Sequence, residues 1–250
     1  MLKIKNLSAF YGKKKVLDDI DLKIKPHTWT MVIGPNGSGK SSLVKAIGGG
    51  LGYEGEILYK DRDIKSFKAK ERARVIGILS QNHYPTFNFK VEEVVGLGRL
   101  AYKGLWGTAS QEDKEMVEKA MDLTGITSLR DKSILEVSGG EVQRTYLAQV
   151  FAQDPKILIL DEPTNHLDLK YEEDVFELLK AWVKYSDRSL VTVVHDLTLS
   201  RSYGDYGLLL KNGQVLTTGP IEKTMASPLL KDAYGTDVHR VLKKRSRIWI

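Results

Sequence analysis

Apolar and polar residues alternate from Leu2 to Leu7 and again from Val16 to Ile24, the period of two that gives a strand one buried and one wet face. The polar turn Gly12-Lys13-Lys14-Lys15 between them predicts an antiparallel pair. Trp29 to Ile33 reads as a strand entering a glycine-rich loop. Leu43, Val44 and Ile47 then predict a helix that begins near Gly39 and stops at Gly48, Gly49 and Gly50. Gly55 to Tyr59 and Val75 to Leu79 read as short strands. From about Val91 to Ser133 the pattern is mainly helical, with Ser110-Gln111-Glu112-Asp113 as a start signal. A further amphipathic helix is expected from Ser138-Gly139-Gly140 to about Ala152. Lys156 to Leu160 and Leu190 to Val194 are almost wholly apolar, as strands covered on both faces of a parallel sheet are. Amphipathic Tyr171 to Tyr185 lies between them. Tyr206 to Leu210 and Gln214 to Thr218 flank Lys211-Asn212-Gly213, a hairpin signal because Asn-Gly supplies the positive φ angles of a tight turn. The expected architecture is an α/β core with a mostly parallel sheet, an antiparallel N-terminal β-subdomain and a helical insertion at about 85–150. A short hairpin and helices should follow over 206–250.

No repeat, Ser/Pro-rich linker or low-complexity tract marks a boundary, so residues 1–250 read as one interrupted domain. With 42% hydrophobic and 28% charged residues, wholesale disorder is excluded. No apolar run approaches the ~18 residues a membrane-spanning helix needs, and residues 1–7 lack the apolar stretch of a signal peptide, so a cytoplasmic location is expected. Zero cysteines exclude a disulfide scaffold, a Cys-ligated zinc site and thiol catalysis. The net charge of +6 hints at a nucleic-acid partner until it is located. Arg240, Lys243, Lys244, Arg245 and Arg247 lie in the final twelve residues with no acid among them, and without those five charges the balance falls to +1. The excess belongs to a tail rather than a groove, and no nucleic acid is expected as a partner.

Gly34-Pro35-Asn36-Gly37-Ser38-Gly39-Lys40-Ser41 matches G-x-x-x-x-G-K-[ST] in full and lies between a predicted strand and a predicted helix, where that chemistry requires it. Glycines let the loop curl so that successive N–H groups point inward, and the helix N-terminus adds positive potential. Such a loop cradles a triphosphate; Lys40 would neutralise the β- and γ-phosphates, and the Ser41 hydroxyl would ligate Mg²⁺. The apolar run Ile157 to Leu160 ends in Asp161 and Glu162. Adjacent strand-end side chains point different ways, so Asp161 can face the metal while Glu162 faces the γ-phosphate and the attacking water.

At Val137-Ser138-Gly139-Gly140-Glu141-Val142-Gln143-Arg144 the sequence resembles the signature of ATP-binding-cassette (ABC) ATPases, and the likeness extends over nearly the whole chain. The same residues also make a Ser-x-x-Glu helix cap, and the two readings coexist. The resemblance implies a P-loop NTPase fold and two ATP sites shared between paired copies, with Ser138, Gly139, Gly140 and Glu141 facing the partner's nucleotide. It implies that Tyr11 stacks on adenine, that Ser42 completes the phosphate loop, and that Gln81 reaches Mg²⁺ and the water. It further implies that Asn165-His166-Leu167-Asp168 is the family's D-loop, with Asp168 crossing the dimer interface, and that His195 contacts the γ-phosphate and positions Glu162. Val137 stands where Leu is commoner and Glu141 where Gln is commoner; neither change removes the serine hydroxyl or the glycine backbone.

Within that family, the segment Phe87 to Arg99 with Tyr102 resembles importers of metal chelates: iron siderophores, haem and vitamin B12. The short part after Thr218 leaves no room for the regulatory domain of sugar-importer relatives. The resemblance thus implies a peripheral ATPase at the cytoplasmic face of the membrane. It would be docked on separate permease subunits near the segment after Gln81 and served by a substrate-binding protein. An exporter ATPase, or a soluble non-transport ABC ATPase, are the competing readings. One phosphate loop, one signature and no sustained heptads argue against the latter.

Overall fold

The computed structural model describes residues 1–81, 85–102, 108–164, 168–185 and 187–246. The first alternating stretches form β1 (Leu2–Tyr11) and β2 (Lys14–Ile24), paired antiparallel. Their turn is tighter than expected: Lys14 and Lys15 pair with Tyr11 and Phe10, leaving Gly12 and Lys13 to reverse the chain. Gly12 takes φ 58°, which an L side chain rarely adopts. β3 (Trp29–Ile33) leads through the glycine loop into α1 (Lys40–Gly48), which ends at Gly49 with φ 79°. β4 (Tyr53–Tyr59) and a two-residue β5 (Arg62–Asp63) complete a four-stranded antiparallel sheet in the order β2-β1-β4-β5.

α2 (Ala69–Val75) runs directly into β6 (Ile76–Leu79), so Val75 closes a helix rather than opening a strand. α3 (Val91–Gly96) and α4 (Gln111–Leu123) follow; Ser110 caps α4, and its hydroxyl accepts the Asp113 N–H while the Asp113 carboxylate accepts the Ser110 N–H. α5 (Gly139–Gln153) leads to β7 (Ile157–Asp161), α6 (Leu169–Lys184) and β8 (Ser189–Val193). After α7 (Leu197–Tyr203), the expected hairpin forms from β9 (Tyr206–Lys211) and β10 (Gln214–Pro220). α8 (Ile221–Ala226), α9 (Leu229–Tyr234) and α10 (Val238–Ser246) finish the described chain.

The second sheet has the order β10-β9-β3-β8-β7-β6; only β10 runs against its neighbour. The expected α/β fold with a mostly parallel sheet is therefore present. Period-two alternation splits its two cores. Val32, Ile157, Ile159, Val191 and Leu208 meet α1 and the inner face of the first sheet. Met31, Ile33, Leu158, Leu160 and Leu209 face the opposite side, beneath the helices. Trp29 anchors that side: its ring stacks on Phe176 at 5.4 Å, and its indole N–H donates to Thr192 Oγ1 at 2.8 Å. Because β3, β7 and β8 lie side by side, their C-terminal ends deliver the phosphate loop, Asp161-Glu162 and His195 to one edge.

Candidate functional site

The loop after β3 is shaped by glycines that nothing else replaces. A Cβ on Gly34 would lie 2.2 Å from the Leu210 carbonyl oxygen, and Gly39 turns into α1 at φ 107°. α1 begins without a side-chain cap and with no acid in its first turn, so its leading N–H groups have no side-chain partner within the helix start. Such orphan donors, with the helix dipole behind them, form an anion site. Lys40 is buried, and its Nζ donates to the carbonyls of Gly34 at 2.9 Å and Pro35 at 3.0 Å. Burial pushes its pKa down, while Glu162 and Asp161 pull the other way.

Asp161 closes β7 at 4% exposure, and its Oδ1 has no hydrogen-bond partner. Burial raises its pKa, opposed by a hydrogen bond from Ser41. A buried carboxylate oxygen beside a serine hydroxyl suits a hard cation, which prefers oxygen donors and supplies the missing charge. One residue later the backbone turns to φ 55° at Glu162, whose N–H donates to the Val193 carbonyl at 3.0 Å. The carboxylate of this left-handed residue sits in a clasp. Gln81 Nε2 donates to Glu162 Oε2 at 2.6 Å, and His195 Nε2 contacts Glu162 Oε1.

Asn36, Lys40, Ser41, Ser42, Gln81, Glu162 and His195 line one cleft of about 730 Å³. Pro35, Gly34 and Ser38 form the loop behind it, through the Lys40 and Gly213 contacts. Lys14, Lys15, Asn212 and Gly213 also line the cleft, which the sequence reading missed. The Asn-Gly turn was legible; its arrival beside the phosphate loop, through the pairing of β9 with β3, was not. Tyr11, 47% exposed at the end of β1, stands outside the lining, with Lys45 Nζ 5.9 Å from its ring centre.

The Ser138 to Glu141 segment is likewise outside this cleft and begins α5. Ser138 N–H and Oγ–H both donate to Glu141 Oε2, at 2.7 and 2.8 Å, which holds the Glu141 carboxyl below its ordinary range. The expected Ser-x-x-Glu cap is therefore formed. Asp168 caps α6 by accepting the Tyr171 N–H at 3.0 Å; Asn165, His166 and Leu167 lie outside the described residues.

Residues 17–165 match the ABC transporter family. Among curated proteins, an uncharacterized ABC transporter ATP-binding protein of Bacillus subtilis is 36% identical over 98% of this chain, although the chain spans only 56% of that relative. The petrobactin import ATP-binding protein of Bacillus anthracis is 34% identical, with 95% of each chain covered. The ferric enterobactin transport ATP-binding protein of Escherichia coli is also 34% identical, over 94% of this chain and 87% of the relative. Among solved structures, a bacterial ABC transporter cassette determined as a dimer superposes with TM-score 0.78 at 28% identity, covering 88% of this chain and 99% of that one. The same cassette is known in a post-hydrolysis state with ADP and Pi.

Proposed function

Because the chain belongs to the ABC transporter family, an ATP-hydrolysing one, we propose that residues 1–250 form a single cassette that powers import of an iron chelate, haem or cobalamin through separate membrane subunits. The observation that carries the catalytic assignment is the Glu162 carboxylate held between Gln81 and His195 at the mouth of a glycine loop. Residues 34–42 bind the triphosphate, with Lys40 against its charge. Ser41, Asp161 and Gln81 would hold Mg²⁺, which would supply charge neutralisation at the phosphates. Glu162 accepts a proton from the attacking water, and His195 keeps that carboxylate in place. Tyr11 stacks on adenine from the exposed end of β1.

Two further features support the assembly. The Ser138 to Glu141 helix start does not line its own chain's cleft, which fits a role on a second copy's nucleotide. Phe87, Phe89, Leu97 and Leu100 present exposed apolar side chains after Gln81, a surface suited to membrane subunits. No helix among the described residues is long and apolar enough to cross a membrane, so the cassette reaches the cytoplasmic face through those subunits. The names of the petrobactin and ferric enterobactin relatives favour iron-chelate cargo, delivered by a substrate-binding protein.

Orthophosphate release from Mg-ATP, measured with the membrane subunits that co-purify, tests the reading. Glu162→Gln should reduce the rate by roughly 10²-fold or more while Mg-ATP still binds. A variant as fast as its parent removes Glu162 from the chemistry.

A further inference from the structure

The chain beyond β8 returns to the phosphate loop at both of the loop's ends. At the β9–β10 tip, the Gly213 N–H donates to the Ser38 carbonyl at 2.9 Å, and the Gly213 carbonyl accepts the Asp18 N–H at 2.9 Å. At the start of the loop, the buried Gly34 N–H donates to Tyr234 Oη at 3.0 Å, across 200 residues of sequence. Lys211 Nζ donates to the Asp232 carbonyl at 2.8 Å and so ties the hairpin to α9. Tyr234 itself is half-buried against the helical-side core, which fixes where its hydroxyl stands.

Gly34 follows Ile33, the last β3 residue paired with β9, so the sheet no longer dictates its peptide orientation. No side chain is tolerated there to do so, since a Cβ would strike Leu210. An external acceptor for the Gly34 N–H therefore sets the plane from which the loop departs. The next two carbonyls, of Gly34 and Pro35, are the ones that hold Lys40. Removing the acceptor leaves a buried N–H unpaired, and the peptide recovers a partner only by turning, which carries Lys40 with it.

We propose that Tyr234 is a positioning residue for the nucleotide site: with Gly213 it makes residues 206–234 a brace that holds the phosphate loop preformed. Tyr234 touches the loop and not the nucleotide. A preformed cradle spares the ligand the entropy of ordering it, so the brace acts on binding rather than on the chemical step. The proposal rests on the assignment of residues 34–42 to ATP.

Tyr234→Phe keeps the ring and deletes only the acceptor. Titration with a fluorescent ATP analogue and Mg²⁺ should show affinity about fivefold weaker, with KM raised to match and kcat at saturating ATP within about twofold of the parent. Unchanged affinity and KM in a folded variant overturn the brace; a parent protein that binds no Mg-ATP instead overturns the site assignment beneath it. If Tyr234→Phe does not fold, Lys211→Met loosens α9 through a solvent-facing contact, and KM should rise at least about twofold. An unchanged KM there overturns the brace equally.

Discussion

Lys40 is held inside its own loop by two carbonyls, so its ammonium is placed but its charge is only partly balanced. Charge-assisted hydrogen bonds contribute about 1.5–3 kcal/mol each, which sets the expected loss on truncation. Lys40→Ala should weaken Mg-ATP binding roughly 10- to 100-fold in equilibrium titration; unaltered affinity would refute its role. Lys40, Ser41, Asp161 and Glu162 were legible because each sits in a short local pattern at a strand end. Of the clasp on Glu162, the His195 contact was legible only through family likeness and the Gln81 contact not at all, since these partners are 33 and 81 residues away in sequence. Nothing local announces that Glu162 takes a positive φ, a strain of about 1–3 kcal/mol that the fold sustains where the carboxylate must be aimed.

Elements with strong periodicity or strong caps were the legible ones. β3 matches its predicted span, and Ser110, Gly39 and Asn212-Gly213 mark α4, α1 and the hairpin as expected. α2 escaped notice because none of its residues is buried, so it carries no apolar stripe to read. A buried ion pair was equally hidden: Arg99 and Asp113 side chains, 3% and 6% exposed, meet at 2.8 Å and join the turn after α3 to α4. Arg99 also donates to the Ala152 carbonyl at 2.8 Å at the end of α5. Asp113→Ala strands a buried guanidinium and should cost about 3–5 kcal/mol in denaturant unfolding, whereas joint Arg99→Met and Asp113→Leu should recover most of it. Burial works to raise the Asp113 pKa, but Arg99 and Ser110 outweigh it and hold the carboxyl below its ordinary value. A depressed carboxyl stabilises the fold above its unfolded pKa of about 4 and ceases to as pH falls through the lower folded value. Melting temperature should therefore drop in that acid window, and Asp113→Asn should lack that component.

At the scale of the whole molecule, the proposed function gives one chain the parts for only one side of a nucleotide. Its cleft offers a glycine loop, a cation and a clasped carboxylate, while the α5 start with its glycines faces elsewhere. In the assembly proposed above, a second copy turned head to tail would bring each α5 start to the other's γ-phosphate; a cassette of similar fold has been determined as a dimer. Closure then depends on a group that hydrolysis removes: ATP stabilises the closed pair only by contacts the open one lacks. Blocking hydrolysis without blocking binding should trap the closed form. Glu162→Gln keeps the shape at the clasp and deletes its charge, so with Mg-ATP it should elute in size exclusion with the mass of two chains, and with ADP as one. Adding Ser138→Phe places bulk where the partner's phosphate would lie and should return the ATP-bound protein to monomer while leaving its own cleft intact. A Glu162→Gln protein that stays monomeric at saturating Mg-ATP contradicts the shared site, because each cleft would then bind its nucleotide without help from the other chain.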